Sequence, residues 1–138
     1  MELYADEVNY WKTSNSSPDK WMERTKALIE SIDGIITGEG FGSDPSRGHS
    51  AYMLGFEIEG QKFKIVWPVL LSKYKEDVAA RRQATTFIYH DVKARVMSAK
   101  VLGTKAAFFG YLQLPDGRTT TQASVEELSQ GVPHLLEG

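Results

Sequence analysis

The residues in this chain able to do acid–base or metal chemistry are few and scattered. The three histidines are His49, in a glycine-rich stretch, His90, beside Asp91, and His134, near the end of the sequence. Adjacent residues on a helix point about 100 degrees apart, so His90 and Asp91 do not form a dyad. There is no cysteine, which removes disulfide and thiolate chemistry. No histidine spacing resembles a zinc site. Glu57 near Lys62 and Lys64 is a thin version of a carboxylate-plus-lysine nuclease centre. Gly38-Glu39-Gly40-Phe41-Gly42 looks like a phosphate loop only superficially, because it leads into another turn rather than a helix. The sequence therefore assigns no catalytic residue, no metal and no cofactor.

Charge carries the stronger signal. Residues 61–105 hold ten Lys or Arg against three acids, so this segment is +7 in a chain of net charge −2. Such asymmetry points to an anionic partner met by a localised face. On a helix running from about Lys75 to Gly103, the residues Arg82, Tyr89, Lys93 and Lys100 fall within about 40 degrees of one another. They form a basic stripe about 27 Å long, with Tyr89 able to stack on a base. Lys62 and Lys64 on a preceding strand extend it, and Lys73 and Lys105 add charge nearby. The competing reading is a solvated helix face whose long side chains cover apolar surface. A second competing class is an interaction module whose basic face meets an acidic partner or the chain's own acidic remainder.

The elements that must position these residues follow from hydrophobic period. Residues 1–16 read as a loosely ordered arm, with Tyr4, Tyr10 and Trp11 scattered in it. Ser17 caps a helix that begins at Pro18 and ends at Asp33-Gly34, with Trp21, Thr25, Leu28 and Ile32 on one face. Ile35 to Ser50, with four glycines, reads as a bulged strand or flexible loop. Strands follow at 51–58 and 62–70, joined by a tight turn at Glu59-Gly60. Tyr52, Leu54, Phe56 and Ile58 alternate inward, as do Phe63, Ile65 and Trp67.

On the long helix Ala80, Ala84, Phe87, Ile88, Ala94 and Leu102 make the apolar side. Residues 106–112 fit either a helix or a strand by pattern, with a helix that weakens at Gly110 favoured. Pro115-Asp116-Gly117 is a turn. Ser124 and Glu127 form a capping box for a short helix over 125–130, ended by Gly131-Val132-Pro133. Trp21, Trp67, Phe108 and Phe109 read as core. The expected architecture is one α+β domain over residues 1–138, with the core at 17–123. A three-stranded antiparallel sheet packs against the long helix and the N-terminal helix. The acidic start lacks the basic and apolar stretches of a signal peptide, and no apolar run spans a bilayer, so the expected setting is cytoplasmic with no membrane partner.

The order helix, three strands, long helix over about 20–105 resembles the core of the single-strand-annealing recombination proteins of phages and eukaryotes. The likeness is strongest from Glu76-Asp77-Val78-Ala79-Ala80-Arg81-Arg82-Gln83-Ala84 to Ser98-Ala99-Lys100-Val101-Leu102-Gly103. The resemblance implies a bent sheet against a long helix, single-stranded DNA in a basic groove, and a homo-oligomer of phage or mobile-element type. The double-stranded-RNA-binding domain shares the element order. Its Gly-Pro-x-His loop and Lys-Lys-x-Ala-Lys helix start are not found, since Arg47-Gly48-His49 and Lys73-Tyr74-Lys75 stand there.

Overall fold

The structure is a computed structural model that describes residues 3–13, 16–44 and 49–137. The expected turn at 45–48 and part of the loop at 14–17 lie outside the described residues. Helix α1 spans Pro18–Glu30, strands β1, β2 and β3 span Ile35–Asp44, His49–Ile58 and Gln61–Pro68, and helix α2 spans Asp77–Leu102. The fold is α+β, as the periodicity predicts. Among the described residues no helix is long and apolar enough to cross a membrane.

The sheet is antiparallel in the order β1-β2-β3. Tyr52, Leu54, Phe56, Ile58, Phe63 and Ile65 are buried on one face, under the helices. Phe56, Phe63 and Phe108 close the centre, with ring centroids 5.5 to 6.0 Å apart. Alternation in β2 and β3 thus creates an inner face, and by the same parity an outer one. β1 pairs with β2 from Ile35 to Asp44 with a register shift between Ile36 and Gly38. The bulged-strand expectation for this segment holds.

α2 buries more of its circumference than an amphipathic helix normally does. Ala80, Ala84, Ile88, Val92 and Val96 form its buried line, while Ala94 and Leu102 are exposed rather than inward. An i, i+4 row drifts around the helix by about 40 degrees per step, which carries the inward face away from Ala94 and Leu102. Gln83, Ala84, Thr85 and Thr86 are all buried in succession. Thr85 and Thr86 satisfy their hydroxyls on the Arg81 and Arg82 carbonyls. Gln83 donates to the carbonyls of Ala5, Val8 and Asn9 at 2.8, 3.1 and 2.9 Å.

That amide stitches residues 3–13 down, so the described part of the N-terminal segment is packed and not a loose arm. Ala5 is fully buried, and its N–H donates to Leu71 at 2.8 Å. Tyr10 stacks on His90 at 4.9 Å and meets Phe87 edge-on. A local pattern cannot disclose such a tie, because it joins residues more than seventy positions apart.

Beyond α2 the chain differs from the sequence reading in two places. The helix expected over 106–112 is shorter: α3 spans Thr104–Ala107, and a 3-10 turn follows at Phe109–Tyr111. Gly110 lies in that turn, where a Cβ would sit 2.7 Å from the Thr121 hydroxyl, so the position has no room for a side chain. Of the two adjacent phenylalanines only Phe108 is core, and Phe109 is 52% exposed. The last helix, α4, spans Thr120–Glu137 instead of 125–130. Its start is fixed by a reciprocal cap one turn ahead of the expected one. The Gln122 N–H donates to Thr119 Oγ1 at 3.2 Å, and the Thr119 N–H donates to Gln122 Oε1 at 2.8 Å. The backbone runs on past Gly131 and Pro133, forgoing the hydrogen bond a proline cannot donate.

Candidate nucleic-acid interface

The six sequence-selected residues do not share one face. Lys62 and Lys64 alternate with the buried Phe63 and Ile65, so they project from the outer side of the sheet, away from both helices. Ile88, Val92 and Val96 of α2 point to the core. Lys93 and Lys100 leave the opposite side of that helix and are exposed. The sheet and the core therefore stand between the two pairs of lysines.

Tyr89 is engaged in packing. Its ring centroid lies 5.0 Å from that of Trp21 on α1. Lys93 Nζ sits 5.9 Å from the Tyr89 ring, and the Arg24 guanidinium 4.9 Å from the Trp21 ring. The four side chains make a row, two aromatic rings in contact with a cation at either end, that joins α1 to α2. Trp21 is half-buried by it. Arg82 is half-buried near the start of α2, beside Lys12, Lys75 and Glu76.

The outer sheet face is laid out by register. Its rows run Gly38, Gly55, Lys64, then Gly40, Met53, Val66, then Gly42, Ala51, Pro68. A Cβ added at Gly38 or Gly42 would meet nothing within 4 Å, and at Gly40 only the Met53 methyl at 3.8 Å. None of these three glycines has positive φ. Neither backbone conformation nor packing within the chain demands glycine here, although glycine weakens a strand. The result is a strip along β1 with little side chain on it and Met53, 41% exposed, beside its middle, while Ala51 in the third row is buried.

Lys64 stands at the border of that strip. On one side is a hollow of about 260 Å³, lined also by Glu39, Met53 and Gln113. On the other is a hollow of about 80 Å³ against Val66, Tyr111, Thr119 and Gln122. The wall beyond β3 is extended backbone: the Gln113 N–H donates to the Lys62 carbonyl at 2.8 Å, and Leu112 bridges to Phe63. Lys62 and Lys64 form no ion pair among the described residues. Lys12, Lys26, Lys73, Arg95 and Arg118 each hold an acid within 2.9 Å. Those five cations are partly neutralised, whereas Lys62 and Lys64, like Lys93 and Lys100 on α2, are not.

The wall is fixed by a clamp on α2. Tyr111 donates to Asp91 Oδ2 at 2.6 Å, and Arg95 donates to the same carboxylate at 2.9 Å and to the Ala107 carbonyl at 3.0 Å. Burial first, and then the bond to Asp91, push the Tyr111 phenol far above its ordinary range. It stays a donor at every ordinary pH.

The sequence reading missed Gln113, Met53 and the outward parity of Gly38, Gly40 and Gly42. The signal was present in the i, i+2, i+4 spacing of those glycines, which on a strand places all three on one side. Among the described residues no group of three or more His, Asp or Glu side chains is gathered as a metal site. No protein-family model matches the chain, and neither a curated protein nor a solved structure matches it.

Proposed function

We propose that the protein binds single-stranded nucleic acid along the outer face of its sheet, without catalysing a reaction on it. The observation that carries this reading is the glycine-rich strip of β1 beside Lys64 and Lys62, which form no ion pair among the described residues. Bases of a single strand are free to lie flat on bare backbone and on the Met53 thioether. A duplex keeps its bases paired inward and has less use for such a surface. Lys62 and Lys64 supply phosphate contacts, which position the strand without reading its sequence. The Gln113 amide, at the rim of the larger hollow beside Lys64, is a neutral polar side chain placed to meet a base edge.

DNA is preferred to RNA because of the element order shared with the annealing proteins. Strand annealing is the finer form of the same reading. The experiment is fluorescence anisotropy with labelled single-stranded and duplex oligonucleotides of one composition. The expected result is tighter binding of the single strand, with log affinity falling against log salt by ~0.7 per phosphate contacted. Equal affinity for both forms would retire the strip as a base platform. No binding at about 50 mM salt would end the reading altogether.

A further inference from the structure

α4 leaves the body as an arm. Its first turn is held, with Thr119, Thr120 and Ala123 buried and the Thr120 hydroxyl donating to the Phe109 carbonyl. From Ser124 to Ser129 every side chain is exposed. Val125 and Leu128 are each 57% exposed and lie at i, i+3 on one side of the helix. Burying such a stripe is what normally stabilises an amphipathic helix, and among the described residues nothing covers this one.

A matching stripe lies on the outer side of α2. Met97 is 64% exposed and Val101 84%, and Ala94 continues the row. Lys93 and Lys100 run along its border and form no ion pair among the described residues. The charges left over are complementary, since Glu126 on α4 already holds Arg118 and Arg95 on α2 already holds Asp91, while Lys93 and Lys100 on α2 and Glu127 on α4 form no ion pair among the described residues. The α2 sequence carries five bases and two acids, whereas the α4 sequence carries three acids and no Lys or Arg. Both stripes are exposed in the same chain, so they do not cover one another within it.

We infer that α4 of one copy packs on the Met97–Val101 stripe of a second copy, a head-to-tail contact. The apolar stripes bury each other, and Lys93 and Lys100 face the acidic side of the incoming helix. Such a contact uses two different patches, so each added copy leaves one of each free, and the assembly either grows or closes. It uses neither Lys62 nor Lys64 and stands independently of the nucleic-acid reading.

The test is light scattering on the full chain and two double variants, Met97→Glu with Val101→Glu, and Val125→Asp with Leu128→Asp. All four positions are exposed, and unchanged thermal melts confirm that the fold survives. The wild-type mass should rise above the 15.4 kDa of one chain as concentration approaches about 100 μM, in the range of a weak contact. Each variant alone should be monomeric. Mixed in equal amounts they should form a dimer and nothing larger, because one retains a sound α4 and the other a sound α2 stripe.

Three outcomes would overturn the inference. A wild-type monomer at every concentration would assign these stripes to a foreign partner or to none. An α4 variant that still associates would mean a symmetric contact between α2 faces. A mixture that stays monomeric would mean that the two stripes do not meet.

Discussion

The outer face of the sheet and the outer face of α2 are both basic, yet they differ in what lies between the charges. Between Lys64 and the open edge of β1 there is mostly backbone, Gly55 and Gly38 with Gly40, Gly42 and one methionine beside them, while the row of Lys62 carries Glu57 and Ile35. Between Lys93 and Lys100 and the rest of α2 there are Ala94, Met97 and Val101. A flat, bare surface suits planar rings, and a ridged apolar surface suits the side chains of another helix. Positive charge alone would have assigned both faces to one anion.

The largest expected effect comes from the core beneath the first face. Phe108 is fully buried and touches both Phe56 and Phe63. It anchors the segment that becomes the wall beside Lys62 and Lys64. Phe108→Ala should lower stability by about 3–5 kcal/mol, the range for emptying a buried aromatic site. Urea unfolding reads this directly. A cost below about 1 kcal/mol would mean that the wall is hung from elsewhere.

Charge reversal separates the two faces. Lys62→Glu with Lys64→Glu should weaken single-strand binding by about 10- to 100-fold at low salt, equivalent to ~1.4–2.7 kcal/mol. Lys93→Glu with Lys100→Glu should leave binding by the monomer within about threefold. The opposite pattern in anisotropy would move the interface to α2 and restore the single basic stripe that helical periodicity suggests.

That stripe shows how far the sequence could be read. The change of period from 3.6 to 2 and back locates α1, the sheet and α2, because each element buries one side on a shared core. The same alternation held the correction to the site. If Phe63 and Ile65 face the helices, Lys62 and Lys64 face away from them, so they cannot join a stripe on α2. The tie from Gln83 to the carbonyls of Ala5, Val8 and Asn9 was not legible, since its partners are remote in sequence. The bond from Tyr111 to Asp91 was hidden for the same reason.

Tyr111→Phe tests whether that clamp holds the wall. It leaves the Asp91 carboxylate with one donor fewer, and should cost about 1–3 kcal/mol at neutral pH. The phenol's folded pKa lies above its ordinary value of 10.0. Its stabilisation is therefore complete below about pH 10 and is lost as pH rises beyond it. The wild type should lose stability on that alkaline limb more steeply than Tyr111→Phe. Parallel pH profiles would show that the phenol does not titrate with unfolding. Binding should fall with the wall, while association through α2 should not change.

The smallest effect in energy discriminates best. Gly38 and Gly42 occupy strand positions with no positive φ and no neighbour within 4 Å of an added Cβ. Alanine at either should stabilise the fold by roughly 0.5–1 kcal/mol, by lowering the entropy of the unfolded chain. A methyl group there also raises a bump on the strip, so single-strand affinity should drop even as stability rises. The two quantities move in opposite directions only if something outside the chain lies on that surface. A gain in the urea midpoint with unchanged affinity would leave the strip empty and confine the interface to the lysines. A loss of stability would show that the glycines serve the fold itself.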